Sequence, residues 1–155
     1  MKSPRHRPPR LERIFSNLRP FYFVTFNTYK RSPWLANREI HEDFLIFARK
    51  GRARGVAVGR YVIMPDHVHV FVVLGWGGVT LARWVQGLKS VLGKRLLLQG
   101  HAKPHWQEGF FDHLMRSGES YGEKWEYVRM NPVRAGLVAV PEAWPYQGEV
   151  EVLRF

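Results

Sequence analysis

At 155 residues the chain fits one domain, 1–155, with a single core, and its 45% hydrophobic and 14% aromatic content excludes a disordered polymer. No apolar run reaches the ~18 residues that a membrane helix needs, no signal-peptide run follows the basic start, and there is no cysteine, so disulfides and thiolate metal sites are excluded. The 24 Lys and Arg against 13 Asp and Glu leave a formal charge of +11, which points to a polyanionic partner rather than a membrane and suits a cytoplasmic nucleic-acid binder with stacking rings.

Residues 1–18 read as a basic arm, with Arg5, Arg7 and Arg10 among Pro4, Pro8 and Pro9. The aromatic and β-branched run from Phe21 to Tyr29 predicts a first strand, ended by Lys30-Arg31-Ser32-Pro33. A helix is predicted from Arg38 to Lys50, capped by Asn37, with Ile40, Phe44, Leu45 and Ala48 at helical spacing. Val56 to Met64 and His67 to Leu74 are too close together for a crossover and predict an antiparallel hairpin turning at Pro65-Asp66. A second helix is predicted from Thr80 to Gln99, with Leu81, Trp84, Val85, Leu88, Leu92 and Leu96 inward. His105 to Met115 reads as a fourth strand with a bulge at Gly109. A third helix follows, with Ser120 and Glu123 as a capping box, and stops at Asn131 before Pro132. This order is an α+β fold, a ferredoxin-like antiparallel sheet (β-α-β-β-α-β) with an extra C-terminal helix. The tail, 139–155, is predicted to pack as an irregular arm anchored by Trp144 and Tyr146.

Along the strand from His67, side chains alternate, so His67, His69, Phe71 and Val73 share one face and Val68, Val70 and Val72 the other. Two imidazoles about 7 Å apart along the backbone can converge on one metal ion, or can be partly buried polar fillers. On the third helix Tyr121, Trp125 and Val128 form an apolar side, which leaves Tyr127 and Asn131, one turn apart, on a different one. Tyr127 is then a half-buried aromatic or a nucleophile, and Asn131 a cap before proline or a ligand. Together with the histidines they would form a metal site with open positions and a phenol within reach of a phosphate. Asp66 is either a turn residue or a carboxylate that orients His67. Lys89, Lys94, Arg116, Arg129 and Arg134 are candidates for the phosphate backbone of a nucleic acid.

Pro65-Asp66-His67-Val68-His69 after an apolar strand, Trp106 to His113, Leu88-Lys89-Ser90 and the run Tyr127 to Val138 (YVRMNPVRAGLV) together resemble the REP-associated tyrosine transposases, which belong with the small HUH single-tyrosine transposases of bacterial insertion sequences. The resemblance covers roughly Phe21 to Val138. It implies cleavage and rejoining of single-stranded DNA bearing hairpin or palindromic repeats, with Mg²⁺ or Mn²⁺ as cofactor. It further implies that His67, His69 and Asn131 are metal ligands and that Tyr127 forms a covalent 5′-phosphotyrosine link. Related transposases carry Gln where this chain has Asn131, whose side chain is shorter. The insertion-sequence relatives act as dimers, so the resemblance allows a homodimer. Read without it, the residues leave open a non-catalytic nucleic-acid-binding module on the same sheet, or a hydrolase using metal-bound water.

Overall fold

The structure is a computed structural model that describes residues Arg19 to Arg154, so the basic arm expected over 1–18 lies outside the described residues. Five strands form one sheet: β1 (Phe21–Asn27), β2 (Val56–Met64), β3 (His67–Leu74), β4 (Phe111–Leu114) and β5 (Gln147–Glu149), in the order β4-β1-β3-β2-β5 with every pairing antiparallel. The first four strands stand as a ferredoxin-like sheet requires, and β5 is an addition at the β2 edge. The hairpin β2-β3 and the helix α1 (Arg38–Lys50) begin and end where the sequence pattern places them. Asn37 caps α1 through its side-chain oxygen, which accepts from the Ile40 amide at 3.1 Å.

One face of the sheet is covered by α1 and by α2 (Leu81–Leu98), whose Leu81, Trp84, Val85, Leu88, Leu92 and Leu96 pack against Val24, Phe26, Val68, Val70 and Val72. The other face carries Phe21, Phe23, Val62, Met64 and Phe71 and is covered by α3 (Gly118–Arg129) through Tyr121 and Val128. A register shift between Val58 and Tyr61 keeps one row of β2 side chains on the α1 and α2 side along the whole strand. Val56 and Val58 point to α1 and α2 and, because one extra residue inverts the alternation, so do Tyr61 and Ile63. Among the described residues no helix is long and apolar enough to cross a membrane.

Three elements depart from the sequence pattern. The fourth strand is four residues long, because upstream of it the carbonyls of Gln107 and Gly109 accept from the Lys89 ammonium of α2 at 3.2 and 2.7 Å and leave the ladder. Only Trp106 keeps an isolated bridge, to Thr28. Helix α3 begins earlier than the Ser120–Glu123 box implies: Ser117, with extended backbone, accepts from the Ser120 amide at 3.0 Å and is the cap. That helix also ends at Arg129, and the chain re-enters helix at once as α4 (Asn131–Arg134), where Pro132 occupies a first-turn position that needs no N–H. In the tail Trp144 is buried and donates its indole N–H to the Ile63 carbonyl at 3.0 Å, as an anchor should, but residues 147–149 are a strand rather than an irregular arm.

Candidate functional site

β1 and β3 pair so that Thr25 lies opposite His69 and Asn27 opposite His67, with both histidines on the α3 side of the sheet. The two imidazole centroids are 4.7 Å apart. His67 Nδ1 lies 2.7 Å from Asp66 Oδ1. A carboxylate can only accept, so Nδ1 carries the proton and Nε2 of the neutral ring keeps its lone pair. His69 Nδ1 has Thr25 Oγ1 at 2.7 Å, which accepts the same way when Nδ1 is protonated. Both Nε2 atoms are then bare donors on one face.

The electrostatics keep the rings neutral. Burial pushes the His69 imidazole down to about 3, and the neighbouring His67, Lys124, Arg134 and Arg31 act in the same direction. Burial also lowers His67, against the opposing Asp66 carboxylate. Burial works to raise Asp66, but hydrogen bonds from His67 and Arg31 and their charges outweigh it and hold the carboxyl below its usual range.

Arg31 is a participant that the sequence did not reveal. Its Nε donates to Asp66 Oδ2 at 3.0 Å, and its Nη2 lies 3.3 Å from His67 Nδ1. Since Nδ1 already donates to Asp66, that second approach is a charge contact rather than a bond. Lys30 and Arg31 both have positive φ, 53° and 55°, a conformation unfavourable for non-glycine residues, and it brings the Arg31 guanidinium back over the β2-β3 turn.

Tyr127 and Asn131 sit on successive helices rather than on one, joined across Met130. Arg134 ties them together: Nη2 donates to the Tyr127 carbonyl and to Asn131 Oδ1, both at 2.8 Å, and the guanidinium covers the Tyr127 ring at 4.0 Å. Tyr121 is buried core at 7% exposure and Tyr127 is 64% exposed, the split that the helical pattern predicts. The link from Tyr127 to the histidines runs through Lys124. It lines an open pocket of about 330 Å³ with Tyr127 and His113, and its ammonium lies 5.0 Å from the Phe23 ring centroid. Phe23 in turn stacks on His69 at 5.3 Å between centroids.

Among the described residues no three His, Cys, Asp or Glu side chains converge on a metal position. The two Nε2 atoms suit a divalent cation, and Asn131 Oδ1 retains one lone pair while bonded to Arg134. The guanidinium on that oxygen opposes a cation there, so Asn131 is the weakest of the three expected donors.

The expected DNA contacts divide. Lys94 and Arg116 are exposed. Arg129 is committed to Glu126 and Glu142 in ion pairs of 3.1 and 3.2 Å, and Arg134 to Tyr127 and Asn131. Lys89 corrects the sequence expectation outright: it is 7% exposed and spends its ammonium on backbone carbonyls.

No protein-family model matches the chain. It is 25% identical over 126 residues to the REP-associated tyrosine transposase of Escherichia coli strain K12, covering 81% of this chain and 73% of that protein. A Haemophilus influenzae protein given the same name provisionally is 29% identical over 94 residues, 54% of this chain and about half, 53%, of its own length. Among solved structures, a REP-associated tyrosine transposase bound to a REP hairpin matches with a TM-score of 0.72 at 22% identity, over 95% of this chain and 82% of that one. The structural likeness extends to the fold as a whole, sheet and helices together.

Proposed function

We propose that this chain, a relative of the REP-associated tyrosine transposases, cleaves and rejoins single-stranded DNA that carries hairpin repeats, with Tyr127 as nucleophile. The observation that carries the reading is the run of contacts His69–Phe23–Lys124, which ends in the pocket that Tyr127 lines. That run links a solvent-open phenol, through Lys124 and Phe23, to two neutral imidazoles on β3.

In the reaction Tyr127 Oη bonds to phosphorus as the bond from phosphorus to the 3′ oxygen breaks. The phenol proton passes to solvent, and the departing 3′ oxygen takes a proton to become a hydroxyl. The strand beginning with that phosphate stays on Tyr127 as a 5′-phosphotyrosine, and a second 3′-hydroxyl can reverse the step and join a new end. A divalent cation, Mg²⁺ or Mn²⁺, held by His67 and His69 with Asn131, would supply charge neutralisation at the scissile phosphate. Asp66 and Thr25 orient the two rings so that Nε2, not Nδ1, faces the cleft. Arg134 holds the Tyr127 ring from one side and caps the end of its helix.

The test is a covalent protein–DNA adduct trapped on a tailed hairpin oligonucleotide with Mg²⁺ and absent in Tyr127→Phe. Free 5′-phosphate ends produced equally by wild type and Tyr127→Phe would assign the chemistry to water instead. Binding without cutting by either would leave a nucleic-acid-binding module.

A further inference from the structure

Three cations act on His69, and two of them are already committed: Arg31 to Asp66, and Arg134 to Tyr127 and Asn131. Among the described residues Lys124 has neither a hydrogen bond nor an ion pair; its ammonium rests on the Phe23 ring, which also stacks on His69. It stands three residues before Tyr127, hence on the same side of α3, and both line the 330 Å³ pocket. We infer that Lys124 is a catalytic residue whose ammonium binds a non-bridging oxygen of the scissile phosphodiester between the histidine pair and Tyr127.

The inference rests on the proposed role of Tyr127 and adds the group that holds the reacting phosphate. An ammonium with no ion pair, acting on the same imidazole as Arg31 and Arg134, is suited to receive an anion. The other walls of the pocket bring one carboxylate, Glu123, which is exposed, and His113. A phosphodiester that enters from solvent meets Lys124 on the way from the Tyr127 side to the histidines. As Tyr127 Oη adds and the 3′ oxygen departs, charge gathers on the non-bridging oxygens. A fixed ammonium one turn from the nucleophile lowers the energy of that arrangement more than that of the bound strand.

The experiment measures adduct formation on a tailed hairpin oligonucleotide with Mn²⁺ for wild type, Lys124→Gln, Lys124→Arg and Lys124→Ala, alongside hairpin affinity, Mn²⁺ binding to the protein alone, and melting. Lys124→Gln is expected to slow the adduct about 10²-fold while hairpin affinity changes by less than about threefold. Lys124→Arg should recover part of the rate, and added ethylamine should accelerate Lys124→Ala, a response that a merely structural lysine would not give. Melting and Mn²⁺ binding should match wild type. An adduct rate in Lys124→Gln within about threefold of wild type, or a loss of rate accounted for entirely by weaker binding, overturns the inference and leaves Tyr127 as nucleophile. If wild type itself forms no adduct, the Tyr127 reading and this one fall together.

Discussion

Lys89→Met separates the two roles available to a basic residue in this fold. The side chain is 7% exposed, its ammonium donates to Gly109 and Gln107 at 2.7 and 3.2 Å, and burial pulls it below the usual lysine range with Glu108 only partly opposing. Methionine fills much the same volume, so the loss is chiefly that of two charge-assisted hydrogen bonds, each ~1.5–3 kcal/mol. Relief of the buried charge offsets part of that sum, which leaves a net destabilisation of ~2–3 kcal/mol, or roughly 5–10 °C in melting temperature for a chain of this size. Gln107 to Gly109 lead into β4, which carries His113 into the Tyr127 pocket, so adduct formation should fall near the new melting point and be intact well below it. The assays are thermal melting and hairpin binding across a salt series. If Lys89→Met melts like wild type but binds hairpin DNA more weakly, with the salt slope reduced by about one, the ammonium contacts phosphate and the internal role argued from its burial is wrong.

Two further outcomes follow from the histidine face. Arg31→Gln should weaken Mn²⁺ binding to the DNA-free protein by ~10-fold or more, since Asp66 loses the partner that fixes Oδ1 toward His67; electron paramagnetic resonance of bound Mn²⁺ reads it, and an unchanged affinity would show the Arg31–Asp66 pair to be incidental. In metal-free protein His69 titrates near 3 when folded and near 6.5 when unfolded, so below 6.5 the unfolded chain takes up the proton that the folded one refuses. Stability is therefore complete above that pH and declines toward pH 3, by up to ~1.4 kcal/mol per unit from this group. Urea midpoints between pH 7 and pH 4.5 should fall less steeply in His69→Gln, and an equal slope would contradict the assignment.

What the sequence made legible was whatever a short period carries. The β2-β3 hairpin and α1 were readable to the residue, because alternation and 3.6-residue spacing are local and Asn37, Pro65, Gly51, Gly55 and Gly75 mark the boundaries. Tyr127 was separable from Tyr121 on the same grounds. Elements shaped by a remote side chain were not. The shortening of β4 depends on an ammonium some twenty residues earlier, and β5 is Gln-Gly-Glu, which has no strand propensity of its own and forms because Trp144 docks the tail beside β2. The Ser120–Glu123 box is the cap the sequence favours, yet Ser117, just past the end of β4, is the one that caps α3.

Within the site the division is the same, and it shows why cations were the hard part. A histidine pair on a strand declares its face by parity, whereas the placement of Arg31 requires two residues of left-handed backbone with no glycine to announce them. Lys124 looks like a solvated helix charge until Phe23 is known to lie beneath it. Yet these charges do two things at once. On the proposed reading they would attract a phosphodiester, and they add to burial, the larger cause, in opposing protonation of His69, which keeps an imidazole lone pair available at acidities where an isolated histidine would have lost it. Asp66 is the one carboxylate bonded to the pair, and it is placed on Nδ1, where it directs the proton without presenting its own charge in place of the substrate's. On the proposed reading, the same cations that oppose protonation of His69 would also attract a phosphate, so affinity for a strand and readiness of the histidines would have a common electrostatic source.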